Sequence, residues 1–215
     1  MYKLVIFDWD GTLMDSGARI VSAMQTAARR ANLPVPTDDA VKDIIGISLL
    51  PAMQILFGKL PAQQQDLLFE SYKQEYVEKD KTPTPMFNGA GDLLDRLSGQ
   101  GTLLAVATGK ARRGLNRVWQ ETNTGHYFQA SRCGDEAESK PSSDMLVQLL
   151  NELNVEASQA VMIGDTVYDM QMAQNLNMDR IAVSHGVHSA ERLAGHAPRA
   201  IVDSLAELQR LLCRG

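Results

Sequence analysis

The sequence predicts an α/β protein, an open parallel sheet with helices on both faces and a helical insertion after its first strand. Two observations carry this. Short apolar runs at residues 4–7, 103–107, 160–163 and 180–183 have the near-continuous hydrophobicity of parallel strands buried on both faces. From about residue 85 onward such runs alternate with segments whose apolar residues recur every three or four positions, the pattern of a doubly wound, Rossmann-like sheet.

In chain order, Leu4, Val5, Ile6 and Phe7 form the first strand, which ends at Asp8. Residues 17–82 then break the alternation. Ile20, Met24, Ala27 and Ala31 mark one helix face and Leu68, Tyr72 and Tyr76 another, so this stretch is expected to be a four-helix insertion. Its exits, at Asp15-Ser16-Gly17 and at Thr82-Pro83-Thr84-Pro85, are candidate hinges, the second stiffened by its prolines. The expected domains are therefore an α/β core, residues 1–16 and 83–215, and a helical lobe, residues 17–82, that closes over the carboxyl edge of the sheet. Helices are expected near 90–98, 111–121, 142–153, 166–176 and 204–212, with weaker strands at 129–132 and 200–202.

Composition narrows the partners. With 21 Lys+Arg against 26 Asp+Glu the 215-residue chain carries a net charge of −5, and 44% of it is hydrophobic. That balance fits a soluble globular protein and gives no basic surface for nucleic acid or an anionic membrane. Cys133 and Cys213 are too few for a disulfide framework or a cysteine-based zinc site, which makes the cytoplasm the expected compartment. No uncharged apolar stretch is long enough to span a bilayer, and residues 1–8 lack the features of a signal peptide.

The chemistry concentrates at strand ends. Asp8-Trp9-Asp10-Gly11-Thr12 places two carboxylates one residue apart after a buried strand, where one can serve as nucleophile and the other as general acid and base. A solvated Asp-rich turn is the plainer alternative. Gly164-Asp165-Thr166-Val167-Tyr168-Asp169 adds two more carboxylates beyond another strand. Facing the first pair, they would repel unless a cation sat among them, and an all-oxygen site with few ligands suits Mg²⁺. Alternatively Asp165 caps the following helix and Asp169 is surface. Thr108-Gly109 and Lys140-Pro141 offer a hydroxyl, backbone N–H groups and an ammonium, the donors that a phosphoryl group requires, although Lys140-Pro141 taken alone reads more plainly as an exposed lysine at a helix start. The histidines at 126, 185, 188 and 196 have no metal-ligand spacing, and Trp9 and methionines such as Met162, Met170 and Met172 read as packing residues.

Asp-x-Asp-Gly-Thr, Thr-Gly, Lys-Pro and Gly-Asp-x-x-x-Asp, in this order over the whole chain, resemble the four motifs of the haloacid dehalogenase superfamily of phosphohydrolases. Residues 17–82 look like the α-helical cap of its phosphoglycolate phosphatase-like branch, and the run 107–114 is similar to that branch's second motif. The resemblance implies that Asp8 attacks phosphorus to form an aspartyl-phosphate, while Asp10 protonates the leaving oxygen and later activates water. It implies Mg²⁺ held by Asp8, the Asp10 backbone carbonyl and Asp165, with Asp169 as ligand or supporting group. Thr108 and Gly109 would bind phosphoryl oxygens, and Lys140 would balance the charge. A metal and an ammonium suit phosphoryl transfer because they offset repulsion between an anionic nucleophile and an anionic substrate.

Asp10 favours phosphate over halide chemistry, since a halide leaving group needs no proton, and it leaves the cap lysines Lys42, Lys59 and Lys73 as surface charges. Substrate choice is expected in the cap, where Ile44-Ile45-Gly46-Ile47-Ser48 resembles the family loop lowered onto the leaving group and Gly46 permits close backbone approach. A plain turn is the alternative for this stretch, and Arg19 and Arg112 are further candidates for a substrate carboxylate. The expected substrate is a small phosphorylated metabolite. A sugar-phosphate mutase, a pyrophosphatase and a non-catalytic phosphate-binding regulatory module are the competing readings, and monomer and homodimer are both open.

Overall fold

The computed structural model describes residues 2–213. Six parallel strands, β1 (Leu4–Phe7), β2 (Leu103–Ala107), β3 (Ala130–Arg132), β4 (Ala160–Gly164), β5 (Asp179–Val183) and β6 (Ala200–Val202), lie in the order β3-β2-β1-β4-β5-β6. Both weaker strands form, β3 starting one residue later than expected.

Alternation along each strand divides two cores. Val5 and Phe7 of β1 join Leu104, Val106, Val161 and Ile163 against the helices α5 (Ala90–Gly99), α6 (Arg112–Thr122) and α10 (Leu205–Leu212). Leu4 and Ile6 face the other way with Ala105, Ala107 and Met162, toward α7 (Asp144–Leu153) and α8 (Val167–Gln174). A strand flanked by helices on both faces has no polar side, which is why these runs read as uniformly apolar. Leu94 of α5 is fully buried in the first core, so Leu94→Ala is expected to cost about 2–5 kcal/mol in a denaturant titration.

Between β1 and α5 come four helices: α1 (Gly17–Arg30), α2 (Asp38–Asp43), α3 (Leu49–Phe57) and α4 (Ala62–Gln74), the last continued by a π-helical turn at Glu75–Lys79. They share an apolar cluster of their own, including Ile20, Met24, Val41, Ile45, Met53 and Leu68. The two connections run side by side. Asp15 N–H donates to the Pro85 carbonyl at 2.8 Å and Phe87 N–H to the Leu13 carbonyl at 2.9 Å, while Met14 bridges Met86 antiparallel. Five-residue α9 (Ala190–Ala194) escaped the sequence reading, being too short to show periodicity.

This order positions the site. The chain turns back between β1 and β4, the switch point at which open α/β sheets bind ligands. Phe7 lies level with Val106 and Ile163, so Asp8 emerges between the loops that carry Thr108 and Asp165.

Candidate active site

Asp8, fully buried, accepts from Lys140 Nζ at 2.7 Å through Oδ1, and the same ammonium donates to Asp169 Oδ1 at 2.6 Å. Asp165 accepts from Thr12 Oγ1 at 2.9 Å and from Val187 N–H at 2.8 Å. Asp169 is not on the surface. Its Oδ2 accepts from the backbone N–H and hydroxyl of Thr166, the residue that caps α8 in place of Asp165.

Three buried carboxylates thus face one ammonium, and their electrostatics show the imbalance. Burial pushes Asp8 well above the usual carboxylate range, Lys140 opposes it, and the charges of Asp169 and Asp165 add to the rise. Asp165 is pushed up to about 7, by burial first and by Asp169 second. Burial alone would lower Lys140, but Asp169 and Asp8 hold it above the ordinary lysine range.

A divalent cation fits these residues. One oxygen each from Asp8, Asp165 and Asp169 can lie within 4.8 Å of one another, and Asp8 Oδ2 is buried with no hydrogen-bond partner. Such an orphaned acceptor is costly unless a cation or ligand completes it, and an all-oxygen donor set is suited to Mg²⁺. Close packing fixes the ligands: Gly11 has φ +87°, and a Cβ there would fall inside the Asp165 carboxylate. Gly11→Ala is expected to destabilise by about 1–2 kcal/mol from the left-handed backbone alone. By displacing Asp165, it should also weaken the binding of any cation to this carboxylate group.

Asp10 points elsewhere. Its carboxylate accepts from Ser16 Oγ at 2.6 Å and pairs with Lys110 Nζ at 2.9 Å. Lys110 also donates to the Tyr76 hydroxyl at 3.4 Å and lies 5.0 Å from that ring's centre, linking the core loop to the insertion. Thr108 is buried, and its Oγ1 accepts from Lys110 N–H at 3.2 Å. Gly109 lies so close under the carbonyls of Gly46 and Ile47 that no Cβ could be placed there. A cleft of about 1820 Å³ between insertion and core is lined by Asp8, Asp10, Gly46, Thr108, Gly109 and Lys110.

The structure therefore brings Asp8, Lys140, Asp165 and Asp169 into one cluster and puts Asp10, Thr108, Gly109 and Gly46 on the cleft beside it. Arg112 and Arg19 are committed to other partners. Arg112 forks onto Glu136 with two bonds of 2.7 Å, and Arg19 donates to the Thr82 carbonyl at 2.6 Å on the connection that leads back to the core. Lys42, Lys59 and Lys73 are exposed, and Trp9 packs edge-on to Trp119 and Phe128. Sequence reasoning assigned no part in the site to Lys110 or Thr12 and placed Ser16 only in a candidate hinge. Two of them could have been suspected, Lys110 as the residue after Thr108-Gly109 and Thr12 as the end of the first motif.

A buried carboxylate matched by an ammonium lies at the switch point of a doubly wound sheet, the place where open α/β folds bind their ligands. More narrowly, residues 5–183 match the haloacid dehalogenase-like hydrolase family, and the chain belongs to it. It is 33% identical over 212 residues to the probable phosphatase IndB of Dickeya dadantii, covering 97% of this chain and 92% of the relative. Identity to the phosphoglycolate phosphatase of Psychrobacter arcticus is 27% over 215 residues, covering 96% of this chain and 94% of the relative. A hydrolase from Pseudomonas syringae shares the fold with a TM-score of 0.89 at 21% identity, over 99% of this chain and 98% of that one.

Proposed function

We propose that the protein is a Mg²⁺-dependent phosphatase that hydrolyses a phosphate monoester of a small metabolite, in the manner of a phosphoglycolate phosphatase. The observation that carries this is Asp8: one carboxylate oxygen is held by Lys140 and the other is buried without a partner, at the wall of the cleft. The phosphatase names of relatives matched along nearly the whole chain support it.

In this reading an Asp8 oxygen attacks phosphorus and the bond to the ester oxygen breaks, leaving an aspartyl-phosphate. Asp10, held toward the cleft by Ser16 and Lys110, gives its proton to the departing oxygen. It then takes a proton from water as that water attacks the same phosphorus, releasing phosphate and restoring Asp8. Thr108 and the Gly109 N–H bind phosphoryl oxygens, and Lys140 offsets their charge. Mg²⁺ would be held by Asp8, Asp165 and the Asp10 carbonyl, with Asp169 orienting Lys140 and lending its charge. When bound it supplies the positive charge that lets two anions meet.

Residues 17–82 act as a cap on the core of residues 1–16 and 83–215, with the stretch around Gly46 facing the leaving group. Among the described residues no helix is long and apolar enough to cross a membrane, and both cysteines are free, in keeping with a cytoplasmic enzyme. A panel of small phosphate esters and pyrophosphate, assayed for phosphate release with Mg²⁺ and with chelator, tests the reading. Release from one or a few small esters that chelator abolishes is expected. Turnover that requires a catalytic bisphosphate would indicate a mutase, and no turnover of any ester would refute the proposal.

A further inference from the structure

The loop at residues 44–48, between α2 and α3, meets the core at residues that adjoin the catalytic set on three separate loops. Tyr168, which lies between Asp165 and Asp169 in the chain, donates its hydroxyl to the Asp43 backbone carbonyl at 2.8 Å. The Asp43 carboxylate pairs with Arg192 of α9, and His188 Nε2 stands 3.7 Å away. Gly46 packs on the Thr166 side chain, the Gly46 and Ile47 carbonyls cover Gly109, and Ser48 N–H donates to Ser139 Oγ, next to Lys140, at 2.9 Å. Tyr168 and Val187 are the core residues packed against the insertion's own apolar cluster, and Val187 N–H also donates to Asp165.

We propose that Tyr168, Asp43 and Arg192 form a latch that seats the 44–48 loop on the catalytic loops, which makes Tyr168 and Arg192 positioning residues for the reaction. The geometry of the latch stands by itself, while its kinetic consequence rests on the phosphatase reading. Ile44, Ile45, Gly46, Ile47 and Ser48 carry no charge, so the loop has no ion pair of its own and the charged contact that fixes it comes from the neighbouring Asp43. Tyr168 is suited to seating it because its ring packs on the insertion while its backbone belongs to the first turn of α8, whose Asp169 holds Lys140. Movement of the loop and movement of that turn are thereby linked. The latch combines a neutral hydrogen bond with an exposed ion pair, two contacts that can be removed separately.

Amide exchange at Ser48 reports seating directly, because its hydrogen bond crosses from insertion to core. Tyr168→Phe keeps the ring and removes the hydroxyl, and is expected to speed exchange at Ser48 about fivefold, the worth of one such bond. Arg192→Glu and Asp43→Arg should each speed it about threefold, as loss of an exposed pair allows. The double variant, with the pair reversed, should return to within about twofold of wild type. Amides of α5 should exchange at the wild-type rate throughout. For the ester that turns over best, kcat/KM should fall as the seated fraction falls, by at most the factor by which exchange rises, through KM rather than kcat.

Unchanged Ser48 exchange in Tyr168→Phe, or failure of the reversed pair to restore it, overturns the latch. Altered exchange with unchanged kcat/KM overturns the assignment of positioning residues. Exchange that responds as stated in a protein that releases no phosphate from any ester supports the latch and overturns the phosphatase reading instead.

Discussion

Asp8→Asn is expected to lower metal-dependent phosphate release at least about 10³-fold, because an amide cannot supply the oxygen nucleophile and the covalent route is closed. It should do so without unfolding the protein. Asparagine keeps the shape and can still accept from Lys140 through the oxygen that now lies 2.7 Å away. It also removes a charge from a place where burial disfavours the ionised form and where Asp169 and Asp165 add repulsion. In the presence of chelator the variant should therefore melt at or above the wild-type temperature. With Mg²⁺ the order should change, since on the proposed reading the variant lacks an anionic ligand and gains less from the ion. Thermal unfolding of both proteins, with and without Mg²⁺, reads all of this, and a variant that melted far below wild type in chelator would contradict the electrostatic account.

The opposite outcome is expected at Lys140. Its side chain is fully buried between Asp8 at 2.7 Å and Asp169 at 2.6 Å, so Lys140→Met leaves three crowded carboxylates with no ammonium among them. Breaking a buried pair from one side costs about 3–5 kcal/mol, or about 6–20 °C in melting temperature for a chain of this size. On the proposed mechanism turnover should be lost as well, because the ammonium that offsets the charge of Asp8 and of the phosphoryl group is gone. Added Mg²⁺ should restore more stability to this variant than to wild type, since the ion replaces part of the missing charge. Lys42→Met serves as the control: Lys42 is exposed, and its loss should change stability by no more than about 0.5 kcal/mol. Equal melting temperatures for the two variants would show that the carboxylates are not held in check by Lys140.

These contrasts bear on what a sequence makes legible. The central strands stand out because Val5, Phe7, Leu4 and Ile6 are buried in opposite cores, so no polar residue interrupts the run. The switch point follows from the same strands, and with it the meeting of Asp8, Thr108 and Asp165. Lys140 is harder to see, because it reaches the cluster from a loop 132 positions away from Asp8, and only its place in an ordered set of motifs singles it out. Three-residue β3 and β6 are weak signals because they sit at the sheet's edges, and α9 has too few turns to show a face. What the sequence leaves unmarked is the supporting polar network. Ser16 on Asp10, Thr12 on Asp165 and Ser139 on Ser48 are ordinary hydroxyl residues whose partners are chosen by tertiary approach. Arg112 shows the converse, a cation near the second motif whose guanidinium is taken by Glu136.

The central claim is that Asp8 becomes covalently phosphorylated, and the most direct test is to look for the phosphoryl group itself. Asp10→Asn removes the proposed acid of the first step as well as the base of the second, so the intermediate should accumulate from an aryl phosphate, whose leaving oxygen needs no proton. Acid quenching of this variant during reaction with an aryl phosphate, followed by peptide mass spectrometry, is predicted to find one added phosphoryl group on the peptide that contains Asp8. Double substitution of Asp8 and Asp10 should abolish that signal. Phosphate release that persists in Asp8→Asn at the wild-type rate, with no phosphorylated Asp8 peptide at any time, would contradict the account.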